Sequence, residues 1–288
     1  MKLLEQVNQT GLLFDGAMGT MLMKKGLDDD KVSEQIILDN PDILKEIHQE
    51  YFSAGADLVT TNTFGGSRLK LEKADLDDKV GTINKEAAQI ARKIAGDKFV
   101  AGDLGPSGYM LEPLGEMSEE EIQDNFAEQA YILTEAGVDL ILIETMYDLN
   151  EILAALQGVK SVTDKPVFTT MTFERKPQGF VTVMGNKVEN SMQKLLEKGA
   201  DVVGANCTIG SDDMVDLSKE IREATANPVM VQPNAGMPEN TGEKIIYPEE
   251  ADIFSDNIKK IKEIGIEVVG GCCGTDPEYI KKINQKIS

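Results

Sequence analysis

The chain has 288 residues, and with 41% hydrophobic side chains it can bury a sizeable core. Its 50 acidic and 29 basic residues give a net charge of −21, which repels the phosphates of nucleic acids and of anionic membranes. We therefore expect neither a nucleic acid nor a membrane as a partner. The first residues, MKLLEQVNQTG, lack the unbroken apolar stretch of a signal peptide, and three cysteines are too few for a disulfide framework, so we expect a cytoplasmic protein.

A short pattern recurs four times along the chain. It reads SAGADLV from Ser53, EAGVDLI from Glu135, EKGADVV from Glu197 and EIGIEVV from Glu263. In each copy a glycine follows a helical stretch and precedes an acidic residue and an apolar run, as expected where a helix ends and a buried strand begins. The pattern therefore predicts four helix-to-strand junctions of one repeating unit.

Eight apolar runs predict strands that are covered on both faces, because valine, isoleucine and leucine follow one another with little polar alternation. The runs begin at Leu12, Ala56, Phe99, Val138, Pro166, Ala200, Pro228 and Glu267. Amphipathic stretches between the runs predict helices. Asn40 and Pro41 fit the N-cap and first position of one helix, and Ser118 with Glu121 predicts a capping box at the start of another.

Eight alternations of strand and helix predict an α/β fold, a single (β/α)8 TIM barrel. An open doubly wound sheet is the rival, but the GxGxxG loop typical of that fold is absent after the first predicted strand. Because no linker or low-complexity tract interrupts the alternation, we predict one domain over residues 1–288. The stretch 174–187 predicts an extended loop or a hairpin above the fifth strand.

The residues that could carry chemistry gather at the predicted carboxyl ends of the strands, here called the rim, where barrels of this class have their active sites. They are Asp15, Gly16, Asn62, Thr63, Asp103, Glu144, Cys207, Asn234, Cys272 and Cys273. All three cysteines of the chain fall at this rim, on strands that a closed barrel brings close together. The sequence therefore predicts that they act on one common ligand.

Three thiolates suit a zinc ion, which binds sulfur in tetrahedral geometry and keeps a fourth position open in catalytic sites. Neighbouring side chains of an extended strand point to opposite faces, so we expect the glycines around Cys272 and Cys273 to release the backbone and let both sulfurs reach one metal. We predict Cys207, Cys272 and Cys273 as zinc ligands and as the catalytic centre. The alternative for each cysteine is a small buried apolar residue.

Two carboxylates, Asp15 and Glu144, should face the same cavity. They could form an acid/base pair of the kind found in glycosidases, although a trithiolate zinc has no part in that chemistry. We favour a second interpretation, in which both carboxylates and the amide of Asn234 hold an ammonium group beside the metal. Asp15 could also be a simple turn residue before Gly16. The only histidine, His48, lies within a predicted helix away from the rim, where we expect it on the helix surface or partly packed.

Seven motifs resemble those of the homocysteine S-methyltransferase family, over nearly the whole chain. They are DGAMGT at 15–20, TNTF at 61–64, GDLGPSG at 102–108, ETMYDLNE at 144–151, GANCTIG at 204–210, PNAG at 233–236 and GGCCGT at 270–275. The combination of GxNC with GGCCG is highly specific. DGAMGT and PNAG are closer to the homocysteine module of cobalamin-dependent methionine synthase than to the relatives that use betaine or S-methylmethionine.

The resemblance implies a zinc-dependent transferase that makes methionine from homocysteine. It assigns the zinc to the three cysteines, with the homocysteine sulfur in the open position, and the amino group to Asp15 and Glu144. Main-chain amides from Ala17 through Met18 to Gly19 are then expected to bind the substrate carboxylate.

The methyl donor implied by the resemblance is methylcobalamin, or a corrinoid carried by a separate protein or module, since this sequence contains no corrinoid-binding module. S-methylmethionine or betaine as donor, and a non-catalytic zinc-binding barrel, are the alternatives.

Overall fold

Eight parallel strands separated by helices form one sheet in the computed structural model, which describes residues 2–27, 32–242 and 245–287. The strands are β1 (Leu12–Leu13), β2 (Leu58–Thr60), β3 (Phe99–Leu104), β4 (Leu140–Met146), β5 (Val167–Met171), β6 (Val202–Gly210), β7 (Val229–Asn234) and β8 (Val268–Val269). Their order in the sheet is β1-β8-β7-β6-β5-β4-β3-β2. This arrangement confirms the predicted (β/α)8 barrel.

One main helix follows each strand and packs outside the sheet. These helices are α1 (Asp42–Ala54), α2 (Val80–Ala95), α3 (Glu119–Glu135), α4 (Leu149–Val162), α5 (Val188–Glu197), α6 (Ser211–Ala224), α7 (Ala251–Glu263) and α8 (Pro277–Ile287). The predicted capping box at Ser118 and Glu121 is confirmed at the start of α3. At α1 the N-cap is Pro41, one residue later than predicted.

Short elements lie outside this alternation. They are the helices Leu3–Gln9, Met18–Lys24, Ile36–Asp39 and Arg68–Glu72, the 3-10 turns Ser33–Gln35 and Asp77–Lys79, and two hairpins, Glu174–Lys176 with Gly179–Val181 and Glu239–Asn240 with Ile245–Ile246. The first hairpin confirms the prediction for 174–187. No helix in the described ranges is long and apolar enough to cross a membrane.

The barrel interior is a small apolar cluster separate from the larger layer between strands and helices. Leu12, Phe14, Leu58, Ala101, Leu140, Leu142, Phe168, Val202, Met230 and Val268 form it. Leu3 and Val7 join this cluster from the helix that precedes β1, so that helix closes the barrel at the amino ends of the strands. The amino ends are called the base below.

The repeated sequence pattern marks the base of the barrel. Gly55, Gly137, Gly199 and Gly265 end their helices with φ angles of 109°, 98°, 94° and 97°, which confirms the predicted junctions. The acidic residue after each glycine also has a structural role. Its side chain accepts a hydrogen bond from a backbone N–H at the start of the preceding strand.

Four such base carboxylates join the strands in pairs. The bonds run from Leu13 N to Asp57 Oδ2, from Val100 N to Asp139 Oδ2, from Val167 N to Asp201 Oδ2 and from Val229 N to Glu267 Oε2, each of 2.8 Å. They join β1 to β2, β3 to β4, β5 to β6 and β7 to β8. Between β1 and β2, a backbone bond of 2.8 Å from Asp57 N to Leu13 O adds to this contact and closes the barrel.

His48 on α1 is fully buried, whereas the sequence predicts a surface or partly packed position. Neither ring nitrogen has a hydrogen-bond partner among the described residues. Burial therefore lowers the pKa of His48 to about 4, and the ring is neutral at physiological pH.

Candidate metal and substrate site

A cavity of about 240 Å³ opens at the rim of the barrel. Of the residues predicted from sequence, Asp15, Ala17, Met18, Gly19, Glu144, Cys207, Cys272 and Cys273 line it. Gly16, Asn62 and Asp103 of the predicted rim also line it, whereas Thr63 and Asn234 do not. Asn234 is buried at the end of β7, and the cavity instead receives Gln232 from the same strand. The barrel thus brings residues from both ends of the sequence into one small space.

The three cysteines form a compact cluster of free thiols. Their sulfur atoms all lie within 4.8 Å of one another, and Cys207 Sγ is 3.9 Å from Cys273 Sγ. Tetrahedral zinc with bonds of about 2.3 Å requires sulfur atoms about 3.8 Å apart. The donor type and the spacing therefore fit a trithiolate metal site with one position left for another ligand.

The chain turns sharply where the adjacent cysteines lie. Both follow the end of β8, and Gly274 after them takes a φ of 86°, in the left-handed region that favours glycine. Gly271 before them is required for space, because a β-carbon there would lie 2.4 Å from Thr275 Oγ1. This turn lets Cys272 and Cys273 reach the same cluster, as the glycine spacing predicts.

The two Gly-Thr motifs at the ends of DGAMGT and GGCCGT bond to each other. Gly274 N donates to Thr20 Oγ1 at 3.0 Å, and Ala17 N donates to Thr275 Oγ1 at 3.2 Å. The Ala17 amide is therefore already bonded. The amides of Met18 and Gly19 lie in the first turn of a helix, where N–H groups have no intrahelical acceptor, so they are the ones left for a ligand.

The thiols share their protons. Hydrogen bonds from the Cys207 and Cys272 thiols, together with one from Tyr247, lower the pKa of Cys273 to about 3. Donating hydrogen bonds to Cys207 and Cys273 raises the pKa of Cys272 well above its usual range. The cluster therefore loses its first proton easily and the next ones with difficulty, and a bound dication would favour removal of all three.

Three carboxyl groups also line the cavity. Burial raises the pKa of Asp15 to about 8, although Thr60 N donates a hydrogen bond of 2.8 Å to Asp15 Oδ2. Burial also raises the pKa of Glu144 to about 7. The pKa of Asp103 is raised well above its usual range by burial and by the Glu144 charge, so Asp103 holds a proton and shares it with Glu144.

Two buried acceptors in the cavity have no donor. Asp103 Oδ1 and Gln232 Oε1 are buried and have no hydrogen-bond partner among the described residues. No lysine, arginine or histidine is among the described residues that line the cavity. A ligand with a positively charged donor would supply both the missing hydrogen bonds and the missing positive charge, and that charge would lower the pKa of each carboxyl group.

Strained backbone surrounds the site. Thr145, Cys207 and Thr208 have φ angles of 61°, 58° and 66°, a region that residues other than glycine seldom adopt. Such conformations cost about 1–3 kcal/mol each and persist where the surroundings fix them, which happens most often at functional sites.

Asn206 fixes part of this backbone. Its Nδ2 donates to Glu144 Oε2 at 2.6 Å and to Thr145 Oγ1 at 2.7 Å.

Sequence reasoning gave no role to Asp103, Asn206, Gln232 or Tyr247. Asp103 was at the predicted rim, and Gln232 could have been found by counting two residues back from Asn234 along a strand, since alternate residues share a face. Asn206 belongs to the GxNC motif, which marks the family resemblance but not the role of this side chain, and Tyr247 had no such signal. Their roles depend on hydrogen bonds between segments that are distant in the chain.

Comparison with known proteins relates this site to a family. The family model for homocysteine S-methyltransferase matches residues 12–287. The methionine synthases of Mycobacterium leprae and Mycobacterium tuberculosis are 33% and 32% identical to the chain over 98% of its length. The chain covers 24% and 25% of those two proteins, so it spans about a quarter of the length of these curated relatives.

Two solved structures share the fold. The metallated form of the homocysteine methyltransferase MmuM from Escherichia coli superposes with a TM-score of 0.82 at 22% identity, over 98% of each chain. A methyltransferase from Methanosarcina mazei gives a TM-score of 0.64 at 13% identity, over 99% of this chain and 96% of that one. At these identities the likeness establishes the barrel alone.

Proposed function

Because the chain belongs to the homocysteine S-methyltransferase family, we propose that it transfers a methyl group to the sulfur of homocysteine and releases methionine. We assign this activity to one barrel over residues 1–288 and place it in the cytoplasm. The observation that carries the proposal is the presence of a three-thiol cluster and three carboxyl groups in one cavity. Homocysteine has both matching groups, a thiol and an ammonium.

Cys207, Cys272 and Cys273 would hold the zinc ion, as their donor type and spacing fit it. When bound there, zinc would act as a Lewis acid that lowers the pKa of a substrate thiol at the open fourth position. The other roles fall to the side chains and amides of the cavity.

The carboxyl groups bind and orient the amino acid end of the substrate. Burial raises the pKa values of Asp15 and Glu144, so an ammonium bound beside them would favour their ionised forms. The Asn234 amide, which the sequence suggests as a third partner, is not among the residues that line the cavity, and we assign that role to Gln232, which lines it. We assign the substrate carboxylate to the amides of Met18 and Gly19.

The transfer step is a displacement at carbon. The substrate sulfur uses an electron pair to form the new bond to the methyl carbon, and the bond between that carbon and the donor breaks with its electron pair remaining on the donor. The thiol proton leaves to solvent. A cavity that fixes the amino acid end positions the sulfur for in-line attack, the kind of orientation that contributes strongly to rate.

For the methyl donor we propose methylcobalamin or a methylated corrinoid on a separate protein or module. The rim supports docking of a large partner, because eight of the ten exposed large apolar side chains in the described part of the chain lie on segments between a strand end and the next main helix. These are Met23, Val32, Leu38, Met110, Leu114, Val183, Met237 and Ile245. A small sulfonium or betaine donor would need no such surface.

The test is a methyl-transfer assay on the zinc-loaded protein with homocysteine and four donors in parallel. The donors are methylcobalamin, a methylated corrinoid protein, S-methylmethionine and betaine, and methionine is measured by mass spectrometry. We expect methionine with the corrinoid donors, more slowly with free methylcobalamin because it lacks docking contacts. Turnover with S-methylmethionine or betaine alone would overturn the donor assignment, and no methionine with any donor would favour a non-catalytic zinc-binding barrel.

A further inference from the structure

Asn206 lies between the metal half and the amino acid half of the cavity. It is fully buried in the middle of β6, directly before the cysteine ligand Cys207. Its Oδ1 accepts from Thr145 N at 2.9 Å and from Thr170 Oγ1 at 2.8 Å. Together with the two bonds from Nδ2 to Glu144 and Thr145, every hydrogen-bonding position of the amide is used, and Nδ2 also lies 4.0 Å from Cys272 Sγ.

The orientation of this amide follows from its neighbours. A backbone N–H can only donate, so the atom of Asn206 that faces Thr145 N must be the oxygen. The amide nitrogen therefore faces Glu144, where it supplies two hydrogens to acceptors. A side chain of the same shape with two oxygens would place an acceptor against the Glu144 carboxylate.

The strained backbone lies on both sides of Asn206. Cys207 follows it with φ 58°, and Thr145, which it bonds twice, has φ 61°. The strand pairing also shifts register at these two places, between Ile143 and Met146 and between Asn206 and Gly210. One amide thus connects the irregular ends of β4 and β6.

We propose that Asn206 is the positioning residue that sets Cys207 for the metal and Glu144 for the substrate ammonium through one hydrogen-bond network. It touches neither the reacting methyl group nor the substrate sulfur. The inference rests on the proposed function, because it concerns how the two halves of that site are held in register. It predicts that a defect at Asn206 affects zinc affinity and amine recognition together.

Three variants test whether Asn206 couples zinc binding to amine recognition, by changing the donor and the acceptor of its hydrogen bond with Glu144. Asn206→Asp keeps the acceptor for Thr145 N but sets one carboxylate against another. Glu144→Gln keeps an acceptor for Asn206 but removes the charge that binds an ammonium. In the double variant N206D/E144Q the pair is reversed, with the amide at position 144 donating to the carboxylate at position 206.

Zinc affinity is measured by competition with a chromogenic chelator. Amine recognition is measured as the ratio of dissociation constants for homocysteine and for 4-mercaptobutanoate, which lacks the amino group. Loss of an outer-shell partner typically costs about tenfold to a hundredfold in metal affinity, so we expect that loss for N206D. We expect wild-type zinc affinity for E144Q, and zinc affinity within about threefold of wild type for the double variant, in keeping with the restored bond.

In the double variant the ratio of the homocysteine to the 4-mercaptobutanoate dissociation constant should stay raised towards one, because the charge at position 144 is still absent. As a matched control, Asn84→Asp places a carboxylate at another fully buried asparagine, which bonds Gly66 O and Val80 O away from the metal ligands. It should lower the melting temperature and leave zinc affinity unchanged.

The outcomes separate this inference from the proposed function. Wild-type zinc affinity in N206D would overturn the role of Asn206, and so would a double variant that does not fold or binds zinc more than tenfold more weakly than wild type. If N206D fails to fold, the double variant alone decides. A wild-type protein that binds no zinc would instead refute the proposed function.

Discussion

The base and the rim of the barrel both carry acidic residues at strand ends, and they use them in opposite ways. At the base each carboxylate accepts a backbone N–H at 2.8 Å, and three of the four also pair with an arginine or a lysine. At the rim Asp15, Asp103 and Glu144 face one another in a buried cavity without a basic side chain among its described lining residues. The carboxylates at the base therefore stabilise the fold, whereas those at the rim remain available to bind a ligand.

The difference has a consequence for stability. The folded-state pKa values of Asp15 and Glu144, about 8 and about 7, lie above their ordinary values of 3.8 and 4.5. In the ligand-free protein these groups therefore favour the folded state at low pH, and that contribution is lost as pH rises through about 7 for Glu144 and about 8 for Asp15. A bound ammonium would stabilise the ionised forms of both carboxyl groups and so offset this loss of stability at higher pH.

The largest expected effect is loss of the metal site at the rim, while the barrel stays folded. Replacing Cys207, Cys272 or Cys273 singly by Ser should abolish tight binding of about one zinc per chain and reduce methyl transfer by about a thousandfold, because several kcal/mol of charge stabilisation are lost. Metal content by mass spectrometry and circular dichroism melting should show a metal-free but folded barrel, since the core does not include the cluster. Full zinc occupancy in all three variants would contradict the assignment, and Asp201→Asn at the base serves as the metal-binding control.

The second expected effect comes from removing one negative charge at the rim while the metal site stays intact. Glu144→Gln should weaken homocysteine binding by about 1–3 kcal/mol, the range for a charge-assisted hydrogen bond, while zinc content stays unchanged. Isothermal titration with homocysteine and with 4-mercaptobutanoate measures it. If the thiol without the amine loses as much affinity as homocysteine, Glu144 is not the ammonium partner.

The third effect is confined to the base. Asp201→Ala leaves the buried amide of Val167 without its acceptor and should lower the free energy of unfolding by about 1–2 kcal/mol. Asp201→Asn keeps an acceptor oxygen and should cost clearly less. Urea denaturation checks both variants, and neither should change the dissociation constant for homocysteine. A base variant with weakened substrate binding would show that the two ends are not independent.

The smallest effect concerns pH. Below a pH of about 7 Glu144 takes up a proton, and the ammonium loses a charged partner. Homocysteine affinity should therefore rise by up to about tenfold between pH 6 and pH 8 through Glu144, and Glu144→Gln should reduce this dependence to the part that Asp15, with a pKa of about 8, contributes. Titrations of wild type and variant at five pH values compare the slopes, with 4-mercaptobutanoate correcting for ionisation of the thiol. Equal slopes in the two proteins would assign the dependence to another group.

The sequence was informative where local physics decides the structure. Glycine before an acidic residue predicted the helix-to-strand junctions, and uninterrupted apolar runs predicted all eight barrel strands, because both depend on a few adjacent residues. The adjacent cysteines predicted a shared ligand for the same reason.

The sequence was less informative where a side chain contacts residues that are distant along the chain. The function of the base carboxylates, the network of Asn206 and the burial of His48 depend on which elements meet across the barrel. Asn234 shows the limit on a finer scale. Its place at the end of a strand predicted a cavity residue, but the strand brings Gln232 there instead. Gln232 and Asn234 share a face of β7, and which of the two reaches the cavity depends on the packing around the strand end, which the sequence alone does not specify.

The pairing of β1 with β8 sets an order of events during synthesis. Leu12 and Leu13 pair with Val268 and Val269. One edge of the first strand therefore stays unpaired until about 255 further residues have left the ribosome. Cys272 and Cys273 come only after β8, and they reach Cys207 once the last strand has docked. Metal capture should therefore follow ring closure, and a nascent chain halted before Cys272 would expose one thiol with nothing to share an ion.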